Sequence, residues 1–91
     1  MPRVFIFGSF CIFFWTNEGT EPIHVPVAVK RPVKGATKIW LTSKGGCMVA
    51  SNGSKIPAKD LDDIQDFIVA NHEEICERWT EIFGDTPRFH L

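Results

Sequence analysis

The sequence predicts an α+β domain: an antiparallel sheet of about five short strands, built as two hairpins plus a short strand, followed by one kinked or two short C-terminal helices packed on one face. Three observations predict it. Between residues 3 and 51, runs rich in Phe, Ile, Val and Trp are broken by Gly, Pro and Asn, and two of the runs alternate cleanly with period two. From Ala58 the apolar residues recur instead at three- and four-residue steps, through Leu61, Ile64, Phe67, Ile68, Ile75, Trp79, Ile82 and Phe83. The period changes at "NGSKIP", a turn-forming stretch. Strands followed by helices imply two layers sharing one core, with residues 1–55 as sheet, 58–83 as helical part and 84–91 as tail of a single domain, 1–91.

Residues 3–7 and 10–17 flank Gly8-Ser9. Glycine at the first position of a two-residue loop suits a type II′ turn, which needs a positive φ there. That turn pairs Phe7 with Phe10, Phe5 with Ile12 and Val4 with Phe13. Both faces of this hairpin are apolar, so it is expected to be central or covered on both sides. After "TNEGTEP" comes "PIHVPVAVK", with Ile23, Val25, Val27 and Val29 on one face and His24, Pro26, Ala28 and Lys30 on the other. "ATKIWLT" sets Thr37, Ile39 and Leu41 against Lys38, Trp40 and Thr42. The link "RPVKG" joins these strands as a second hairpin, placing Lys30 opposite Ala36, Ala28 opposite Lys38, Pro26 opposite Trp40 and His24 opposite Thr42. Pro26 removes a ladder donor and therefore requires an edge strand or an outward-pointing nitrogen. "SKGG" is a turn and "CMVAS" the fifth strand.

Pro57 suits a first helical turn, and Asp60, Asp62, Asp63 and Asp66 complement the helix dipole. The spacing predicts helices over 58–70 and 72–83, or one helix kinked between them. Asn71, three residues before Glu74, is a capping signal, and Gly84 is a C-terminal stop.

A chain of 91 residues with 44% hydrophobic content, eight Phe and three Trp supports one modest core and excludes disorder. The net charge of −1 conceals a division. Residues 1–59 carry a net +6 and residues 60–91 a net −7. Such a split bears on partners or internal docking, not on fold. Cys11, Cys47 and Cys76 are far apart and form no CxxC pair, so no metal or other cofactor is expected; they read as buried free thiols in a reducing, cytoplasmic setting. "VFIFGSFCIFFW" is shorter than the roughly 20 residues a membrane helix needs and lacks a small-x-small cleavage pattern, so neither membrane insertion nor secretion is expected.

The candidate catalytic group is His24, whose imidazole titrates near neutrality and can act as acid or base. Its face is expected to point away from the core, with Glu18 and Glu21 as supporting groups. Lys30, Arg31, Lys34 and Lys38, with Lys44 nearby, form a basic hairpin that would attract phosphate, and Trp40 offers a stacking platform. The bland alternatives are a solvent-facing strand histidine and solubilising edge-strand lysines. The stripe around Trp79 reads as core, His72 and Arg78 as solvated surface, and Cys76 as buried and inert. Phosphate-loop, dinucleotide and G-x-S-x-G patterns are absent.

In their order, the Met-Pro start, the aromatic hairpin, "NEGTEPIHV", "ATKIWL" and the helix ending "ERWTEIFG" resemble the small bacterial domain of unknown function numbered 4160, over residues 1–84. The resemblance implies a domain commonly encoded beside a second small protein, in the manner of a toxin–antitoxin or regulatory pair, and brings no established activity. It also implies a His-x-His pair in the third strand and a histidine in the turn before the prolines. Here the pair's first position is His24 and its second is Pro26, and the turn reads "NEGTEP". The leading expectation is a protein-interaction module with a small partner encoded nearby, self-association remaining open. The alternative is an RNA-directed toxin or ribonuclease using the His24, Lys30, Lys38 and Trp40 face.

Overall fold

The structure, a computed structural model, describes residues 3–14, 22–84 and 88–89, without the side chains of Arg3 and Val4. Five strands run in the order of the chain: β1 (Arg3–Phe7), β2 (Phe10–Phe13), β3 (His24–Val29), β4 (Thr37–Leu41) and β5 (Cys47–Ser51). Every neighbouring pair is antiparallel. Two helices follow, α1 (Ala58–Ala70) and α2 (His72–Phe83). The predicted fold class and both helix spans stand.

Alternation along the strands generates the core. Ile12, Phe14, Ile23, Val25, Val27, Ile39 and Leu41 line one sheet face, and Ile64, Ile68, Ile75 and Trp79 come down from the helices to bury them. Each such side chain contributes about 1.5–3 kcal/mol when fully buried. Aromatic contacts close the rim. The Phe67 ring lies 5.4 Å from Phe5 and 4.9 Å from Phe7, and the Phe14 ring lies 5.3 Å from Trp79. A smaller cluster of Cys11, Phe13 and Ala28 is buried on the opposite face.

The first hairpin turns at Gly8 with φ +60°, pairing Phe7 with Phe10 and Phe5 with Ile12 as expected. A bulge near Val4 sets Arg3, not Val4, opposite Phe13. Only β2 is covered on both sides; β1 is an outer strand and leaves Ile6 56% exposed.

The second hairpin departs from the expected register by two residues. His24 faces Trp40, Pro26 faces Lys38 and Val27 faces Thr37. The strand ends earlier than the apolar pattern alone indicates. Lys30 adopts a left-handed φ of 68°, and its N–H donates to the Ser9 carbonyl of the first turn at 2.7 Å. Residues 30–36 therefore make the connection. A two-residue slide preserves the faces, so the core survives the change. Pro26 sits in a central strand, so of the two placements expected for it the edge strand does not hold. Leu41 N–H donates to the Ile23 carbonyl, so the alternating ladder turns the Pro26 nitrogen toward β2. There the β2–β3 pairing stops at Ile12 and Val27, one residue before the proline.

The connector into α1 is held by Asn52. Its Oδ1 accepts from Ile56 N–H at 2.9 Å and from the buried Thr37 hydroxyl at 2.6 Å, while its Nδ2 donates to the Ile56 carbonyl at 2.9 Å. Gly53 lies so close to the Gly35 carbonyl oxygen that a Cβ there would coincide with it. Pro57 occupies the N-cap position, one residue before the first turn. Asn71 does not cap α2 with its side chain; its Nδ2 instead donates back to the Phe67 carbonyl at 2.8 Å, closing α1. Gly84 ends α2 with φ +77°, as its position predicts. The described part of the tail is docked: Arg88 accepts from Ile23 N–H at 2.7 Å, and Phe89 packs against the core.

Asn52→Ala leaves the Thr37 hydroxyl and the Ile56 backbone without this partner. It is expected to lower unfolding stability by about 2 kcal/mol, read as a shifted urea midpoint at unchanged slope. An unshifted midpoint would show that the Asn52 clamp contributes nothing.

Candidate functional site

The candidate residues divide between one sheet face and one loop. On β4, Lys38 and Trp40 are two residues apart on the face away from the helices, so their side chains adjoin. The Lys38 ammonium sits over the Trp40 ring, 4.4 Å from its centroid. His24 stands opposite Trp40, ring centroids 5.3 Å apart and nearly perpendicular at 75°. Trp79 approaches the same imidazole from α2 at 6.1 Å. His24 Nδ1 lies 2.9 Å from the Pro22 carbonyl oxygen. A carbonyl only accepts, so Nδ1 is the donor of this bond.

This geometry corrects the expectation of a solvent-facing histidine. His24 is 1% exposed. Two indole rings and the Pro22 carbonyl enclose it, and it touches the main core through Trp79. The structure thus brings His24, Lys38 and Trp40 together. It does not bring Lys30, Arg31 or Lys34 to them. Those three are exposed in the 30–36 connection, beyond the far end of β3, roughly 20 Å along the strand from His24. Lys44 lies in the β4–β5 turn, at the opposite end of β4 from that connection, so it does not belong to the basic hairpin loop. Glu18 and Glu21 lie outside the described residues.

Sequence reasoning missed a neighbour of the basic loop. Gly53 abuts Gly35, so the connector carrying exposed Lys55 lies against the loop carrying Lys34. No local pattern signals a contact across eighteen positions; the "NGS" glycine was its only trace.

His72 is a second revision. It is half-buried, not a solvated surface group. Its Nε2 lies 2.8 Å from the Thr42 carbonyl and so is the donor, and the ring stacks on Phe89 at 5.8 Å and 14°. Its Nδ1 lies 3.8 Å from Cys76 Sγ. Cys76 is only partly buried, and burial, reinforced by the Glu73 charge, raises its pKa. Burial likewise raises Cys47, against a lowering contact with Gln65. Thiols raised in this way stay protonated at neutral pH and are poor nucleophiles. Arg78 is on the surface as expected, paired with Glu74 at 3.4 Å.

Two open depressions flank the helices. One, of about 650 Å³, follows Glu73, Glu74, Glu77, Arg78 and Glu81 along α2. The other, of about 580 Å³, lies between β5 and α1. Neither contains His24 or the basic loop. Among the described residues no group of three or more His, Cys, Asp or Glu converges as metal ligands, and no helix is long and apolar enough to cross a membrane.

Truncating His24 to alanine removes an enclosed ring and its hydrogen bond, and is expected to destabilise the fold by about 3 kcal/mol. Chemical denaturation reads this directly. A loss within about 0.5 kcal/mol is what a surface histidine would give, and would overturn the packing role.

No curated protein and no solved structure matches the chain. A family profile described as a domain of unknown function, DUF4160, matches residues 9–80, most of its length. With its five-stranded sheet and paired C-terminal helices, the chain belongs to the DUF4160 family.

Proposed function

We propose that the chain is a bacterial, cytoplasmic protein-interaction module that works with a small protein encoded nearby, in a regulatory or toxin–antitoxin-like pair. The observation that carries this reading is the segregation of surface charge. Glu73, Glu74, Glu77 and Glu81 line α2, and Asp62, Asp63 and Asp66 are exposed on α1. Lys30, Arg31, Lys34 and Lys55 project from the loop end of the sheet. Opposed patches of this kind steer and orient protein partners. The enclosed His24, whose ring is held by packing, fits a structural part better than a catalytic one. The cytoplasmic setting is supported by Cys11, Cys47 and Cys76, all free thiols.

Co-expression with the product of the adjacent gene is expected to give a complex that co-elutes in size-exclusion chromatography and weakens as salt rises. A chain that elutes alone at low salt in the presence of that product would overturn the reading.

The RNA-directed alternative draws on one observation, the apposition of Lys55 to the Lys30–Lys34 loop. RNA retention should then fall steeply with salt and be lost in a Lys30→Glu/Lys34→Glu variant. No retention by the wild-type chain at low salt removes this alternative.

A further inference from the structure

We infer that the open edge of β5, with the groove between it and α1, is a strand-addition site for an extended, basic segment of a partner protein. This rests on the interaction-module reading and specifies its surface.

β5 is an outer strand, paired among the described strands with β4 alone. The phase of its ladder follows from the turn before it. Thr42 N–H donates to the Gly46 carbonyl at 2.9 Å, making these two a hydrogen-bonded pair. Antiparallel ladders alternate, so Trp40 and Met48 are the next bonded pair, while Leu41–Cys47 and Ile39–Val49 fall between. The N–H and C=O groups of Cys47 and Val49 therefore point away from β4, to the open side. The strand carries no proline and no charge, the usual guards of an exposed edge. Its one irregularity is the bulge at Ala50, between the Ile39–Val49 and Lys38–Ser51 pairs. That bulge limits a guest strand to the Gly46–Val49 window, roughly 13 Å of extended chain.

The surroundings define what fits. The groove is lined by Gly46, Cys47, Asp62, Gln65, Asp66 and Val69. Asp62 and Asp66 are one helical turn apart, both exposed, and no ion pair engages either of them among the described residues. Val69 is 47% exposed above the edge and Met48 is 41% exposed on the opposite face. Side chains of a guest strand alternate between these two sides. Those on the helix side meet two carboxylates and call for Lys or Arg. Those on the far side meet Met48 and call for an aliphatic residue. The occupant is thus an extended peptide alternating basic and aliphatic residues, with its backbone completing the Cys47 and Val49 ladder. Nucleic acid is excluded, because phosphate would meet the same carboxylates. The β1 edge also exposes an apolar side chain, Ile6, but Ile6 lines neither of the two depressions.

The test uses the full chain and two fluorescent peptides, Gly-flanked Lys-Val-Lys-Val-Lys and Glu-Val-Glu-Val-Glu. Saturable binding of the basic peptide alone is expected, with amide protection gained at Cys47 and Val49 in hydrogen exchange. Asp62→Lys/Asp66→Lys should reverse the peptide preference. Val49→Pro, which removes an outward donor and leaves the β4 ladder intact, should weaken binding at least about tenfold. Equal binding of both peptides, binding indifferent to these variants, or protection of the two amides by concentration-dependent self-association would each overturn the site. The same variants separate this site from the wider reading. If they still co-elute with the adjacent gene product, the module stands and this surface falls. If the basic peptide binds as described and that product does not, the surface stands and the gene-pair assignment falls.

Discussion

A five-stranded meander has one apolar face that it cannot bury by itself, and the cover for that face is the constraint on which the rest of this molecule depends. Ile12, Val25, Val27, Ile39 and Leu41 present a continuous surface, and the two C-terminal helices close over it. Their placement sets the chain's other features. The Asn52 clamp turns the chain off β5 at the angle α1 needs. Asn71 terminates α1 so that α2 can start at once. Trp79 is delivered to the end of β3, where it meets His24.

That last contact changes how His24 is understood. Enclosed between Trp40 and Trp79, the ring is part of the seam between sheet and helices. Its Nδ1–H serves the Pro22 carbonyl and so fixes the backbone where β3 begins. An imidazole enclosed this way contributes shape and a donor that holds the backbone. Pro26 is consistent with this. It ends the β2–β3 ladder next to Val27, where the family resemblance implies a second polar ring. In this chain the region is therefore a packed strand end, and the exposed chemistry is carried by charged loops and helix faces.

The period-two and period-3.6 patterns made the fold legible, because one face of every element is buried and burial is what periodicity records. Gly8 and Gly84 were legible for a related reason: a positive φ leaves few choices of residue. The register of the β3–β4 hairpin was not. It depends on Lys30 leaving the strand to bond Ser9, a contact with another turn that alternation cannot encode. His24 was assigned correctly to a face but not to an environment, since one of the rings beside it, Trp79, comes from fifty-five positions away. His72 was misread for the same reason: the acids beside it in sequence hide the Thr42 carbonyl and Phe89 ring beside it in space.

The meeting of Gly53 with the Gly35 carbonyl has a consequence for how such a chain can change over generations. The two loops are locked by backbone against backbone, with no side chain between them to trim or swap. The basic loop can gain or lose charge freely at Lys30, Arg31 and Lys34, since those side chains face water. Its length and path are another matter, because any side chain at position 53, or any insertion near 35, displaces the connector that launches α1. Surface chemistry at this end of the sheet is open to drift while its backbone outline is not. A partner could therefore be exchanged by recolouring the same shape.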